Sequence, residues 1–424
     1  MTHEEREREY AAVLARYRDF QAMGLSLNIS RGKPGADQVS LSRDLLTGLS
    51  PEDCAAEDGT DVRNYGGLDG LPEMKRLFAE ILDVAPGEVI VGGNSSLNLM
   101  FDCVATLLTL DENWRGPVKF LCPVPGYDRH FAVCDYFNIE TIPVGMTPEG
   151  PDMDAAEALA AGDPAVAGMW CVPVFTNPQG YTYSDETVRR LAAMPALNPG
   201  FRLMWDNAYA VHHFRGPRPN PPNILRVCEA LGKPDRPFIF TSFSKISIPG
   251  ASVSCLAASE NNRAVILKRL FAQTVGPDKV NQLRHARFFK DLPGVLAHME
   301  KHAALIRPKF ERAEAVFERE LGGTGTGAWH SPDGGYFIPF DTLPGCAKQT
   351  AALCRAAGLT LTEAGATFPG GNDPQDRNIR VCPTYVSEGE LEQALTLFCA
   401  AVKLAALEKL SPSLRSAAGD RLYG

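Results

Sequence analysis

The sequence predicts an α/β fold: a mostly parallel sheet in a large domain, with a smaller α+β domain beside it. Three observations predict this. Short apolar runs alternate with helical patterns through the middle of the chain, as in sheets whose strands are joined by crossover helices. The 424 residues exceed what one hydrophobic core usually holds. Beyond about residue 300 the alternation gives way to long helical stretches with isolated strand runs.

Seven strands are expected in the large domain. EVIVGG is the first, followed by the helical SLNLMFDCVATLL. PVKFLCP is the second, followed by YDRHFAVCDYF as helix and then ETIPVG. AGMWCVPV, FRLMWD, PFIFTS and SVSCLAAS complete the set. In the second region HAALIRPKFERAEAVFERE reads as helix, GGYFIPF and NIRVCPTY as strands, and Ser387 to Leu407 as a final helix. The N-terminal helix and the extended SLNISRGKPGAD are expected to pack on the smaller domain. The division is therefore 46–300 for the large domain, and 1–45 with 301–424 for the small one. The terminal SPSLRSAAGDRLYG is expected to fray.

Composition narrows the function. Lys+Arg 42 against Asp+Glu 51 gives a net charge of -9, which repels polyanions, and no basic patch offsets it, so no nucleic-acid partner is expected. The eleven cysteines form no C-x-x-C or Cys/His metal spacing and read as small buried hydrophobes in a reducing compartment. No signal-peptide or membrane-spanning run is visible, so no metal, no membrane and a cytoplasmic location are expected.

In a parallel sheet ligands sit beyond the carboxyl ends of the strands. Gly92-Gly93-Asn94-Ser95-Ser96 follows the first strand and opens a helix, a pattern that suits a phosphate but also an ordinary N-cap. Pro125-Gly126-Tyr127 brings an aromatic face, for packing or stacking. Thr176-Asn177-Pro178-Gln179-Gly180 is a turn that carries an amide. FRLMWD ends in Asp206, whose burial requires a cation or strong donor, with Tyr209 three residues on. Ser242, Ser244 and Lys245 follow the PFIFTS strand, and partial desolvation there would lower the lysine pKa. One ligand suits the set: pyridoxal 5'-phosphate, with its dianionic phosphate, flat ring, phenolate, ring nitrogen and aldehyde.

The stretches RGKP, RNYGGLDGLPEMK, TNPQG, DNAYAVHH, SFSK, GPDKVNQLRH and NIRV, in this order from Arg31 to about Tyr385, resemble a fold-type I, class I pyridoxal-phosphate aminotransferase. The likeness is to the aspartate aminotransferase subgroup grouped with MocR-type aminotransferase domains. The resemblance implies Lys245 as Schiff-base lysine and catalytic base, with Asp206 at the ring nitrogen. Asn177 and Tyr209 would serve the phenolate, and Tyr127 would stack on the ring. Asn94, Ser95, Ser96, Ser242 and Ser244 would form the phosphate cup. Tyr65 would reach the neighbouring subunit's phosphate, implying a homodimer with shared sites. Arg380 and Gly32 would take the substrate α-carboxylate, with Asn177 also on the substrate side.

Ser252 is a departure, standing where the family commonly has a phosphate-binding arginine after P-G-x. Either the serine hydroxyls, that of Ser252 among them, suffice for the phosphate, or a basic residue arrives from elsewhere; the second is expected, with Arg63 of a partner chain as the candidate. For a second substrate carboxylate Arg31 comes first, with Lys33, Lys279 and Arg284 in reserve, although for each singly a solvated or interface charge is the more usual reading. Gly334-Gly335-Tyr336 is expected on the substrate side. His298 and His302 in HMEKH read as a solvated helix face, and His212-His213 as packing. The expected activity is ping-pong transamination of L-aspartate with 2-oxoglutarate. The alternatives are transamination of aromatic or branched amino acids, a pyridoxal-phosphate lyase or decarboxylase, and a cofactor-sensing regulatory domain. The last needs an N-terminal DNA-binding domain, for which a pattern starting at Arg31 leaves no room.

Overall fold

The computed structural model describes residues 2–414; the end expected to fray lies largely outside them. All seven expected strands are present: β1 (Val89–Val91), β2 (Lys119–Val124), β3 (Glu140–Thr147), β5 (Val166–Cys171), β6 (Arg202–Asp206), β7 (Pro237–Ser242) and β8 (Ser254–Ala258). A two-residue strand, β4 (Gly150–Pro151), folds back on β3 and adds an eighth at the edge. The order across the sheet is β1-β8-β7-β6-β5-β2-β3-β4. β8 runs antiparallel to both its neighbours, whereas β7, β6, β5, β2 and β3 pair in parallel.

The inner strands of the sheet are buried on both faces, which is why they read as continuous apolar runs. Side-chain alternation still operates along each strand. In β6, Leu203 and Trp205 enter one core with Phe78, Leu191 and Phe289, while Met204 enters the other with Trp170, Phe238 and Phe240. A third core gathers Tyr17, Phe310, Phe317, Ile338, Phe340 and Phe398. It joins the N-terminal helix His3–Ala22 to the last helix, Glu388–Leu410, and to the antiparallel strands Gly327–Trp329, Ile338–Thr342 and Asn378–Val381. The 30-residue helix Leu292–Leu321 serves two cores: Val295 and Met299 face the sheet, and Ala303 onward faces the third core. Residue 300 lies within this helix.

After its helix the N-terminal segment pairs Leu27–Asn28 in parallel with Leu359–Thr360. Gly358 makes that approach possible. Its φ is +83°, and a Cβ there would meet the Leu25 carbonyl oxygen at 1.9 Å. Gly358→Ala is expected to destabilise the protein by about 2 kcal/mol or more and to lower the thermal midpoint; an unchanged midpoint would contradict this packing.

Candidate active site

The strand order sets the order of chemistry along one edge of the sheet. Because β8 is antiparallel, Ser252 at its start lies at the same edge as the ends of β1, β7, β6, β5 and β2. From one side to the other, the edge presents Asn94–Ser96, Ser252, Ser242 to Lys245, Asp206, Asn177 and Tyr127.

The serine end is joined by hydrogen bonds. Ser242 Oγ donates to Ser244 Oγ at 3.0 Å, and Ser244 Oγ lies 3.1 Å from the Asn94 carbonyl and 3.3 Å from Ser252 Oγ. Ser95 caps the helix Ser96–Leu110, its Oγ accepting from the Leu97 amide. Ser96 occupies the first turn, and the Asn94 side chain is exposed.

In the middle, Asp206 is 3% exposed. Its Oδ2 lies 3.0 Å from His130 Nε2, and its Oδ1 has no hydrogen-bond partner. The His130 ring is stacked on Trp170 with centroids 4.3 Å apart and planes 6° apart, and Tyr127 meets it edge-on at 5.0 Å. Tyr127 is pushed up to about 12, first by burial and then by the Asp206 charge, so it stays a neutral phenol.

Lys245 Nζ lies 5.0 Å from the Tyr209 ring centroid and 5.9 Å from that of Tyr336. Burial pulls its pKa down and the Asp206 charge partly opposes that, raising the share of free amine near neutral pH. Tyr209 is buried and its pKa is raised by desolvation.

Arg380, 8% exposed, donates from Nη1 to Asp128 Oδ1 at 3.0 Å and to Asn177 Oδ1 at 3.2 Å. Its guanidinium lies over Phe337, and its Nε is buried without a partner. Gly32 adjoins the same platform: a Cβ there would meet Phe337 Cζ at 2.3 Å. Since Asn177 Oδ1 faces Arg380, the Asn177 Nδ2 donors are directed elsewhere.

Tyr65 is not hydrogen-bonded to any of these residues within the chain, whereas Arg31 adjoins Gly32 beside the Phe337 platform. Tyr65 is 80% exposed and Arg31 is exposed. Arg63 is held at home by a bidentate pair with Asp61, at 2.9 and 2.8 Å. Sequence reasoning missed His130 and Asp128. The spacing of His130 from Tyr127, one helical turn, was a usable signal; nothing local announced that Asp128 would meet Arg380.

The expectation for His298 and His302 is corrected: both are buried, at 4% and 0% exposure. Gln38 Oε1 accepts from the Gly35 amide at 3.1 Å, so its Nε2 donates to Tyr336 Oη at 2.9 Å and to His302 Nδ1 at 3.1 Å. His302 Nε2 lies 3.1 Å from His298 Nε2, which also lies 3.1 Å from Ser42 Oγ and 3.0 Å from the Ile246 carbonyl. Tyr336 donates to the Lys245 carbonyl at 3.3 Å. Helix periodicity places His298 and His302 on one face but cannot say that the N-terminal segment covers that face.

Residues 1–413 match the family model described as aspartate amino-transferase. A protein of Mycolicibacterium smegmatis, provisionally named an aminotransferase, is 46% identical over 417 residues, 96% of each chain. The aspartate aminotransferase of Corynebacterium glutamicum is 42% identical over 403 residues, 93% of each. The crystal structure of an aspartate transaminase from that species has a TM-score of 0.94 at 41% identity, covering 97% of this chain and 98% of the other. The fold is that of the fold-type I pyridoxal-phosphate-dependent transferases. Within that class the chain belongs to the aspartate amino-transferase family, and it is an aminotransferase.

Burial pushes His302 and His285 each down to about 4. Unfolded, each would take up a proton below about 6.5, so the stability they contribute is full above that pH and falls as pH drops toward 4. The slope is roughly 1.4 kcal/mol per pH unit for each. Thermal midpoints measured from pH 7 to pH 5 are expected to fall, and less steeply in His302→Gln; identical slopes would contradict a buried neutral His302.

Proposed function

We propose that this aminotransferase moves the amino group of L-aspartate to 2-oxoglutarate, using pyridoxal 5'-phosphate anchored on Lys245. The observation that carries the reading is the order along the sheet edge: hydroxyls and a helix N-terminus, then an amine, then a buried carboxylate with an unpartnered oxygen, then an amide and an aromatic ring. The residues fit the cofactor. Asp206 Oδ1 is a buried acceptor without a donor, which suits a protonated ring nitrogen. Ser242, Ser244, Ser252 and the Asn94–Ser96 turn would take the phosphate. Asn177 Nδ2 and the Tyr209 phenol would take the phenolate oxygen, and Tyr127 would cover the ring. Bound there, the cofactor supplies an electron sink for the pair left when an amino acid loses its Cα proton.

The chain's own residues do the rest. Lys245, whose pKa burial lowers, would anchor the cofactor and take the Cα proton on Nζ. Arg380 grips the α-carboxylate and orients the Cα–H bond. Asp128 and Asn177 hold the guanidinium through Nη1, and Gly32 lets the N-terminal segment lie against Phe337 beside it. The choice of aspartate and 2-oxoglutarate draws on the relative named aspartate aminotransferase, with Arg31 as candidate for the second carboxylate.

A homodimer with shared sites fits the surface. Tyr65, Phe271 and Val275 are 80%, 80% and 65% exposed, and the Gly66 amide donates to the Val275 carbonyl, joining the Tyr65 loop to the one just past the helix that carries Phe271. An apolar group of this kind is costly to leave in water. A cytoplasmic setting fits the eleven free thiols; among the described residues no helix is long and apolar enough to cross a membrane.

Oxaloacetate formation from aspartate and 2-oxoglutarate tests the activity. Lys245→Ala is expected to lower turnover by at least ~10³-fold, and near-normal turnover would sink the assignment. Phe271→Asp is expected to shift the protein from dimer to monomer in analytical ultracentrifugation; an unchanged mass would place the interface elsewhere.

A further inference from the structure

The phosphate end of the edge is rich in hydroxyls and poor in charge. Ser252 replaces the expected arginine and is 2% exposed, with its Oγ turned to Ser244 and the Val253 carbonyl. Arg63 is bound to Asp61. A dianion needs a cation nearby, and the chain holds a buried one.

Two lysines are buried among the described residues, Lys279 at 3% and Lys309 at 5%. Lys309 has an acid, Asp37, at 3.3 Å, as well as the Thr384 carbonyl. Lys279 has none within ion-pair distance: its Nζ donates to the Gly66 carbonyl at 2.7 Å. Burying an ammonium against a single carbonyl is costly unless an anion shares the site.

The surroundings indicate which anion. Lys279 opens the helix Lys279–Phe289, which runs along the Lys245–Ser252 segment. Asn281 Nδ2 donates to the carbonyls of Ala251 and Ser252 at 2.8 and 2.9 Å, and His285 Nε2 lies 2.8 Å from Ser247 Oγ. The start of this helix is therefore fastened to the backbone of Ser252. On its other side, Gly276 packs on the Gly66 carbonyl so closely that a Cβ would come within 2.5 Å of it. Lys279 thus stands between the Ser252 end of the cup and the loop that carries Tyr65.

We infer that the Lys279 ammonium is the cation of an oxyanion site at the serine end of the sheet edge, and that it neutralises the cofactor phosphate in place of the missing arginine. This rests on the cofactor reading above. A carboxylate at the far end of a dicarboxylic substrate has the same chemistry, so the test must separate the two.

The test compares binding of pyridoxal 5'-phosphate and of pyridoxal, which lacks the phosphate, to cofactor-stripped wild-type, Lys279→Met and Lys279→Arg proteins, with melting curves to confirm folding. In Lys279→Met the dissociation constant for the phosphate form is expected to rise ~10-fold or more, that for pyridoxal to stay within about twofold, and Lys279→Arg to recover most of the loss. Equal weakening of both compounds would mean a packing role and overturn the proposal. So would unchanged cofactor affinity with a raised KM for aspartate but not for alanine, which would assign the amine to the substrate carboxylate. Wild-type protein that binds neither compound would overturn the cofactor reading itself.

Discussion

The constraint on which the site depends is the burial of Asp206. A carboxylate at the end of a central strand, 3% exposed, loses most of its hydration and must be held by donors. His130 supplies one, and its ring is fixed by stacking on Trp170. The other oxygen has no partner. The neighbouring strands set what lies to either side: serines and Lys245 toward β8 and β1, Asn177 and Tyr127 toward β2. A ligand that meets Asp206 with a proton-bearing nitrogen is therefore met by an amine on one side and an amide on the other.

The cations inside the fold are placed by the same logic. Arg380 is tied to Asp128 and Asn177 through one nitrogen, and its Nε has no partner. Burial lowers the Lys245 pKa, and the Asp206 charge opposes that. Lys309 is matched to Asp37 away from the edge. Behind Lys245, the Gln38–Tyr336 and His302–His298 contacts fix the lysine's backbone to the N-terminal segment and the long helix. That polar packing is largely buried, and a half-satisfied version would cost more than an apolar one.

Much of this was legible because strand ends are local features. The runs FRLMWD and PFIFTS state where β6 and β7 stop, so the residues after them could be assigned to one edge before any contact was known. The two-residue β4 escaped notice because Gly150–Pro151 has no strand pattern of its own and exists only by pairing with β3. His298 and His302 were misread because helix periodicity gives a face but not what covers it; Gln38 and Ser42, more than 250 positions away, do so. Asp128 carries an ordinary helix-start signature, and its partner Arg380 is 252 positions distant. The lysine in GPDKVNQLRH, taken singly, reads first as a solvated or interface charge; its burial follows from the loop at Gly66.

The measurement that bears most directly on this account is the visible absorption spectrum of the purified protein with pyridoxal 5'-phosphate, before and after addition of L-aspartate and then of 2-oxoglutarate. The account predicts a band from the Lys245-bound aldehyde form that aspartate removes and 2-oxoglutarate restores. A band that ignores aspartate would contradict the substrate assignment, and the lack of any band with cofactor supplied would contradict the site.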